Sequence, residues 1–253
     1  MTTIAVIYKK EDQLIAGTAV QVIKELKTLG YRISLEGAKF AISIGGDGTI
    51  LRAARLLASR KTPILGVHMG GLGFCSEVNL PELTAALEQI KKGQYSIDER
   101  AMIEANVGGK KVIALNDIVI SNSEIARVIK LEIKEIAEYT CDGIVFATAT
   151  GSTAYNLSAG GPILTPDSAS IVISAICPHT ITNRSIVLAR PITVTLNKGK
   201  TTILTADGQQ LLPLKEGQAV KIQLSALKTR FIRLPGYDFF KRIKEAFGFG
   251  PKF

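Results

Sequence analysis

The chain has 253 residues, a formal charge of +9 at pH 7 and a hydrophobic content of 46%. These values are typical of a globular protein with one large or two modest domains, and they exclude a disordered chain. No apolar run approaches the ~18 residues that a membrane span needs, and the N-terminus lacks the order of a signal peptide. We therefore expect a soluble, cytoplasmic protein whose cysteines, Cys75, Cys141 and Cys177, are reduced and mostly buried.

Much of the positive charge lies at the C-terminal end, where residues 228–253 hold seven basic side chains and two acidic ones. The nearby phenylalanines follow a helical repeat and are not interleaved with the basic residues, so we expect neither a nucleic-acid partner nor a membrane partner. The charge suits an enzyme whose substrates are polyanions, because it raises their local concentration. A solvated basic helix face explains it equally well.

The first 95 residues alternate between strand and helix patterns. The segments "TIAVIY", "KFAISI" and "TPILGVHM" read as buried strands, and Pro81 precedes a third helix. This alternation predicts a parallel sheet with covered faces. The predicted buried helix faces are Ile15, Ala19, Val22, Leu26 and Leu29; Ile50, Ala53, Ala54 and Leu57; and Leu83, Leu87 and Ile90.

Beyond residue 95 the helical period nearly disappears. "MIEANVGGKKVIAL" predicts a hairpin at Gly108-Gly109, and "VIKLEIKEI" alternates as a half-buried strand does. Many short strands predict a β-sandwich-like domain. The last segment, "GYDFFKRIKEAFGFG", predicts a helix with Phe240, Ile243 and Phe247 on one face. We expect an α/β domain over 1–95, a β-rich domain over 96–227, and a C-terminal helical segment over 228–253.

The segment "AISIGGDGTILRAARLLA" places a single carboxylate, Asp47, in a glycine-rich loop between a strand and a helix. In open α/β sheets ligands bind at this edge, where the helix N-terminus favours anions such as phosphate. An aspartate beside phosphates indicates phosphoryl transfer, since it can orient an attacking hydroxyl or help to hold Mg²⁺. The alternative is a tight turn in which Asp47 is only a helix N-cap.

Two further glycine-rich stretches carry polar or aromatic residues. "GVHMGGLGF" (66–74) follows the next predicted strand, so its loop should lie beside the first one. "DGIVFATATGSTAYNLSAGGPIL" (142–164) combines small hydroxyl side chains with exposed backbone, which suits hydrogen bonding to ribose, amide and phosphate groups. Ser152 is not expected to be an acyl-transfer nucleophile, because the pattern is not G-x-S-x-G.

In this order "GGDGT", "GGLGF", "LND", "DGIVFATATGSTAYNLSAGGP", "PHTITNR" and "DGQ" resemble the NAD kinase family. "GGDGT" alone is shared with diacylglycerol and sphingosine kinases, whereas the "TGSTAY…SAGGP" block is far more specific. The resemblance implies an α/β domain, a β-rich domain and a terminal helix that returns to the first domain. It also implies transfer of the terminal phosphoryl group of ATP, or of polyphosphate, to the adenosine ribose 2′-hydroxyl of NAD, with Mg²⁺ held through the substrate phosphates and no metal ligand required from the protein. A homodimer or homotetramer is implied as well.

The resemblance assigns roles position by position. Asp47 matches the catalytic aspartate, within a phosphate loop formed by Gly45, Gly46, Gly48 and Thr49. By its position alone, one turn into the helix, Arg52 is placed to reach a phosphate, and a solvated helix face explains it equally well. Asp142 matches an acid that reaches the nicotinamide amide of a neighbouring subunit's ligand. The other residues expected to bind NAD are Gly73, Phe74, Asn116, Asp117, Thr150, Thr153, Ala154, Tyr155, Ser158 and Gln209.

Three positions depart from the family pattern. Asp117 stands where a glutamate is usual, Met69 where many relatives carry a basic residue, and Ser185 where proline is common. Two other functions explain the sequence less well. A diacylglycerol-type lipid kinase does not explain "TGSTAY…SAGGP", and a non-catalytic dinucleotide sensor is not expected to retain Asp47.

Overall fold

A computed structural model describes residues 1–70, 73–124 and 128–248. The chain divides into two compact units: unit 1 consists of residues 1–99 together with 229–253, and unit 2 of residues 100–228. Each unit has its own hydrophobic core.

Unit 1 begins with alternating strands and helices. The strands are β1 (Thr3–Tyr8), β2 (Arg32–Ile33), β3 (Phe40–Gly45), β4 (Ile64–His68) and β5 (Val78–Asn79). The helices are α1 (Gln13–Thr28), α2 (Asp47–Leu57) and α3 (Leu83–Lys91). All pairings among these strands are parallel, and along the path β4-β3-β1-β2 each strand is hydrogen-bonded to the next. The predicted parallel sheet is therefore confirmed.

The strand register places the C-terminal ends of β1, β3 and β4 at one edge of the unit 1 sheet. Tyr8 pairs with Ile44, and Gly45 pairs with His68, so β1, β3 and β4 end side by side. The three strands consist of near-continuous apolar runs, and their side chains are mostly buried. Such runs are typical of parallel strands in a sheet that helices cover. The loops that follow β3 and β4 consequently start next to each other.

Unit 2 is built from antiparallel strands. They are β6 (Ser96–Val107), β7 (Lys110–Ala114), β8 (Asp117–Asn122), β9 (Ile129–Ile133), β10 (Ala137–Cys141), β11 (Gly143–Ala147), β12 (Ile171–Ile176), β13 (Ile186–Leu188), β14 (Ile192–Lys198), β15 (Thr202–Ala206), β16 (Gln210–Leu214) and β17 (Ala219–Arg233). One sheet has the order β13-β12-β11-β8-β15-β16, and β10, β9, β14 and β17 are neighbours in another. A single core contains side chains from both, so the sandwich-like arrangement is confirmed.

The ends of β6 and β17 and the last helix belong to unit 1. β17 continues to Arg233, so the helix α5 (Phe239–Phe247) occupies only part of the predicted segment 228–253. In unit 1, Phe231 of β17 pairs with Ile64 of β4 in parallel, and α5 lies in the same unit as the α/β sheet.

Two residues of the predicted buried helix faces are exposed, and the cysteines are mostly buried as expected. Leu29 follows the last turn of α1 as its C-cap and is exposed, because the helix already ends at Thr28. Phe240 is 61% exposed, because the inward row of α5 runs through Phe239, Ile243 and Phe247 at i, i+4 spacing. Cys177 is exposed, whereas the other two cysteines are buried as expected.

Candidate active site

The glycine-rich loop after β3 leads directly into α2. Gly46 is the N-cap of the helix and Asp47 is its first residue, with Thr49 N–H bonded to the Gly46 carbonyl at 2.9 Å. Gly45 has a φ of +142°, a conformation that favours glycine, and a Cβ there would lie 2.6 Å from the Thr49 hydroxyl oxygen. The turn can therefore be made only by a residue without a side chain.

The Asp47 carboxylate does not cap α2. No side chain makes a cap hydrogen bond at this helix start, so the N-cap alternative is wrong. Asp47 Oδ2 instead accepts a 3.2 Å hydrogen bond from the Phe74 N–H, and Oδ1 is buried without a hydrogen-bond partner among the described residues. A buried carboxylate oxygen without a partner is costly unless a ligand or a solvent molecule satisfies it. The site is therefore suited to receive a hydrogen-bond donor.

The loop after β4 packs against this carboxylate, as expected from the strand order. A Cβ at Gly73 would overlap the Asp47 carboxylate, so glycine is required by close approach. His68, at the end of β4, adds a buried atom, Nδ1, that has no hydrogen-bond partner in the part of the chain that the structure describes, and its Nε2 would lie 4.0 Å from a Cβ at Gly46. Gly71 and Leu72 of the predicted "GGLGF" loop lie outside the described residues.

Gly48, in the first turn of α2, and Arg52, about one turn further along the helix, are both exposed. Arg52 is thus compatible with a contact to a bound phosphate and equally with a solvated helix face.

Unit 2 contains a second cluster, organised by the Asp207 carboxylate. Its Oδ1 accepts from the N–H groups of Asn116 (2.8 Å) and Asp117 (3.4 Å), and its Oδ2 accepts from Leu115 N–H (3.1 Å). Asp207 has a left-handed backbone with a φ of +51°, which aspartate tolerates better than most residues. The sequence motif "DGQ" therefore holds the "LND" motif by its backbone.

The Asn116 backbone is also fixed from the other side. Its carbonyl accepts from Thr148 N–H at 2.8 Å, and a Cβ at Gly151 would overlap the same carbonyl. The Asn116 side-chain Oδ1 is buried and has no hydrogen-bond partner among the described residues. Like the free oxygen of Asp47, it is an open acceptor at a fixed position.

Asp117 is 6% exposed and carries a perturbed carboxyl group. Burial, and then the nearby charge of Asp207, raise the pKa of Asp117 from 3.8 to about 7. Near neutral pH this group exists in comparable amounts as acid and carboxylate, so it can donate to or accept from a ligand.

The glycine-rich stretch after β11 is shaped by a fully buried polar network. Asn156 donates to the carbonyls of Ser152 and Pro162, both at 3.1 Å, and accepts from Ser174 Oγ at 2.7 Å. Ser185, at the position of a common family proline, lies 2.7 Å from Ser174 Oγ and extends this network. The network fixes the backbone of the "TGSTAY" loop.

The remaining predicted NAD contacts differ in burial and position. Thr150 is buried, and its hydroxyl accepts from the buried Arg100 at 3.4 Å, a partner that the motif analysis missed. Asp142 lies at the opposite end of β11 from Thr148, so the structure does not bring it to the Asn116 cluster. Thr153 and Ala154 are half-buried, whereas Tyr155, Ser158 and Gln209 are exposed.

A parallel α/β sheet with one carboxylate on a glycine-rich strand-to-helix loop defines a phosphotransferase class of enzyme. Comparison with known proteins specifies the class. Residues 5–95 match the family model of the ATP-NAD kinase N-terminal domain, and residues 115–234 match that of the C-terminal domain. The chain belongs to the NAD kinase family.

Curated relatives and solved structures agree with this assignment. The NAD kinase of Geobacter sulfurreducens is 40% identical over 227 residues, covering 85% of this chain and 80% of the relative, and that of Geotalea daltonii is 38% identical over 231 residues, covering 86% and 81%. The crystal structure of an Archaeoglobus fulgidus NAD kinase in complex with ATP is similar with a TM-score of 0.80 and 27% identity, covering 98% of both chains. Yeast NADH kinase in complex with NADH shares the fold, with a TM-score of 0.87 at 20% identity over 100% of this chain and 89% of that one.

None of the described helices is both long and apolar enough to cross a membrane.

Proposed function

We propose that this chain transfers the terminal phosphoryl group of ATP to the adenosine ribose 2′-hydroxyl of NAD, which yields NADP and ADP. The observation that carries the proposal is the Asp47 carboxylate, which has a free, buried oxygen at the N-terminus of α2 in a chain of the NAD kinase family. Inorganic polyphosphate is a second candidate donor.

Asp47 acts as the base in this proposal. The 2′-oxygen of NAD attacks the terminal phosphorus of ATP, and a new O–P bond forms to the ribose. The bond between that phosphorus and its bridging oxygen breaks, and ADP leaves with the electron pair. Asp47 takes the hydroxyl proton, and its bond to Phe74 N–H holds the carboxylate in one orientation.

The phosphate loop binds the donor through backbone groups. Gly45, Gly46, Gly48 and Thr49 lie at or just before the start of α2, where the helix dipole and the backbone of the first turn favour negative charge. Arg52 extends this positive region by one turn. Since most of the barrier in phosphoryl transfer is lowered by positioning and charge neutralisation, these groups supply a large share of the rate.

In this proposal a divalent cation is held beside the loop chiefly through the substrate phosphates. Among the described residues, no three histidine, cysteine or acidic side chains are grouped to hold a metal ion. The free Oδ1 of Asp47 is the acceptor beside the loop that suits an oxygen-preferring ion such as Mg²⁺. When bound, the ion would neutralise charge on the transferred phosphoryl group.

Unit 2 supplies most of the NAD contacts in the proposal, and Gly73 and Phe74 of unit 1 supply the others. Asn116 and Asp117 present a free amide oxygen and a carboxyl group for the hydroxyls and base of the adenosine half. Thr150, Thr153, Ala154, Tyr155 and Ser158 line the adenine, ribose and nicotinamide positions, with Gly73, Phe74 and Gln209 as further contacts. Asp142 serves the ligand of a neighbouring subunit in a homodimer or homotetramer.

The test is NADP formation from NAD with Mg²⁺, run in parallel with ATP and with polyphosphate and detected by an NADP-specific dehydrogenase. Asp47→Asn should lower kcat by about 10²–10⁴-fold, the usual contribution of a positioned base. Glu11→Gln, which removes an exposed carboxylate of the same unit, is the matched control and should keep wild-type kcat. A wild-type protein that binds NAD without turnover with any donor would refute the kinase proposal in favour of a dinucleotide sensor.

A further inference from the structure

The loop of residues 73–76 lies between the Asp47 carboxylate and the C-terminal helix α5. On one side it contacts Asp47 through the Phe74 N–H and the close approach of Gly73. Internally it is closed by Ser76, whose buried hydroxyl accepts from Gly73 N–H at 3.0 Å and donates to the Gly73 carbonyl at 3.2 Å. The two hydrogen bonds between Ser76 and Gly73 therefore hold the ends of the loop together.

On the other side the loop is held by Arg242 of α5. The Arg242 guanidinium donates from Nη1 to the carbonyl of Gly73 at 3.0 Å and to that of Ser76. These residues are 169 and 166 positions away in the sequence. One side chain therefore ties both ends of the 73–76 loop to the last helix.

Arg242 is itself held in a defined orientation. Its side chain is 12% exposed, its Nη2 lies 3.6 Å from Glu77 Oε2, and its guanidinium carbon lies 4.8 Å from the Tyr237 ring centroid. Glu77 is fixed in turn by the buried Arg233 at 3.0 Å. A planar guanidinium with this many partners loses little further freedom when it binds the two carbonyls.

An aromatic contact adds a second link between the loop and α5. The rings of Phe74 and Phe247 are stacked with centroids 5.2 Å apart. The residue whose N–H binds Asp47 is thus fixed through its ring by the same helix that provides Arg242. Two independent contacts lead from α5 to the catalytic carboxylate.

We infer that Arg242 is a positioning residue for Asp47: it anchors the 73–76 loop so that the Phe74 N–H holds the Asp47 carboxylate in its reactive orientation. The inference rests on the proposed function, since it gives α5 a part in the same phosphoryl transfer. It predicts that removing the Arg242 side chain alters turnover although this residue is remote from Asp47 in the sequence.

The kinetic test is a double-mutant cycle with Arg242→Ala and Asp47→Asn. Arg242→Ala alone should lower kcat at least tenfold, whereas in the Asp47→Asn background it should change the residual kcat less than threefold, because the orientation of the base no longer matters. Arg242→Lys should recover part of the lost kcat, since an ammonium group can donate to the same carbonyls. Lys241→Ala is the matched control, because it removes the same charge from the neighbouring, 71% exposed position and should keep kcat within twofold.

A purely structural role for Arg242 gives a different pattern. It would lower kcat by the same factor in both backgrounds, in parallel with a loss of thermal stability, and that result would overturn the inference. An unchanged kcat in Arg242→Ala would overturn it as well.

A second measurement does not depend on activity. The chain contains no tryptophan, so Phe74→Trp introduces a single fluorescent reporter into the loop. Adding Arg242→Ala should increase acrylamide quenching of this reporter at least twofold, whereas adding Lys241→Ala should not. Equal quenching in both would refute the anchoring, while a wild-type chain without turnover would refute only the proposed function.

Discussion

Replacing Asp117 by asparagine should stabilise the folded protein above neutral pH and have progressively less effect in acid. The raised pKa of Asp117, about 7 against 3.8, means that the folded state retains a proton that the unfolded state loses as the pH rises through this window. The free energy of unfolding therefore decreases from pH 4 to pH 7 and is then constant as far as this group is concerned. Asparagine has no proton to lose, so it removes this penalty.

The size of the effect follows from the pKa. At about 1.4 kcal/mol per pKa unit, the raised pKa of Asp117 lowers the free energy of unfolding, relative to a carboxyl with the ordinary pKa, by about 4 kcal/mol at pH 8 and by about 1.5 kcal/mol at pH 5. These are upper values, because the asparagine amide also needs hydrogen-bond partners in a buried position. The expected gain is thus about 2–3 kcal/mol larger at pH 8 than at pH 5.

Urea unfolding of the ligand-free protein, followed by circular dichroism at pH 5 and pH 8, measures this difference. Glu132→Gln is the matched control, because it neutralises an exposed carboxylate on β9 of the same unit and should show no comparable pH dependence. Equal changes at both pH values, or a less stable variant at pH 8, would refute the reasoning. The gain in stability should be accompanied by weaker NAD binding, with KM for NAD raised about tenfold, since the charge-assisted acceptor is lost.

Three further outcomes are expected. Gly73→Ala should lower kcat at least tenfold, because the added Cβ would overlap the Asp47 carboxylate. Gly17→Ala is the control: a Cβ at Gly17 has no atom within 4 Å, so this variant should keep kcat and slightly stabilise α1. Steady-state kinetics and melting curves distinguish the two variants. Asn156→Ala should lower the free energy of unfolding by about 2–4 kcal/mol in urea titrations, because it removes the centre of a buried hydrogen-bond network. A loss below about 0.5 kcal/mol, which is typical of surface substitutions, would contradict that assignment. In the wild type, KM for NAD should fall as the pH rises through about 7, since ionised Asp117 is the better acceptor for ribose hydroxyls, and a KM that is flat from pH 6 to 8 would exclude this contact.

Local sequence patterns were enough to predict most helices and strands and the position of the phosphate loop. The apolar run of β3, the three glycines around Asp47 and the helical period of α2 are local features, and local sterics alone require a tight turn there. Strict alternation in β9 likewise reproduced its burial pattern, because side chains on a strand alternate between core and solvent. The family resemblance added the order of motifs, which the family models match over both parts of the chain.

The groups that orient the candidate catalytic and binding residues become visible in the folded structure, because they come from distant parts of the chain. The bonds of Asp207 to the backbone of Asn116 span 91 residues, and that of Arg242 to Gly73 spans 169. Such contacts leave no period or spacing in the sequence, since an aspartate in a turn or an arginine on an amphipathic helix is equally compatible with a solvated surface. For the same reason composition and spacing could not show that Asp117 titrates near neutrality: its pKa depends on burial and on a second carboxylate that the fold brings beside it.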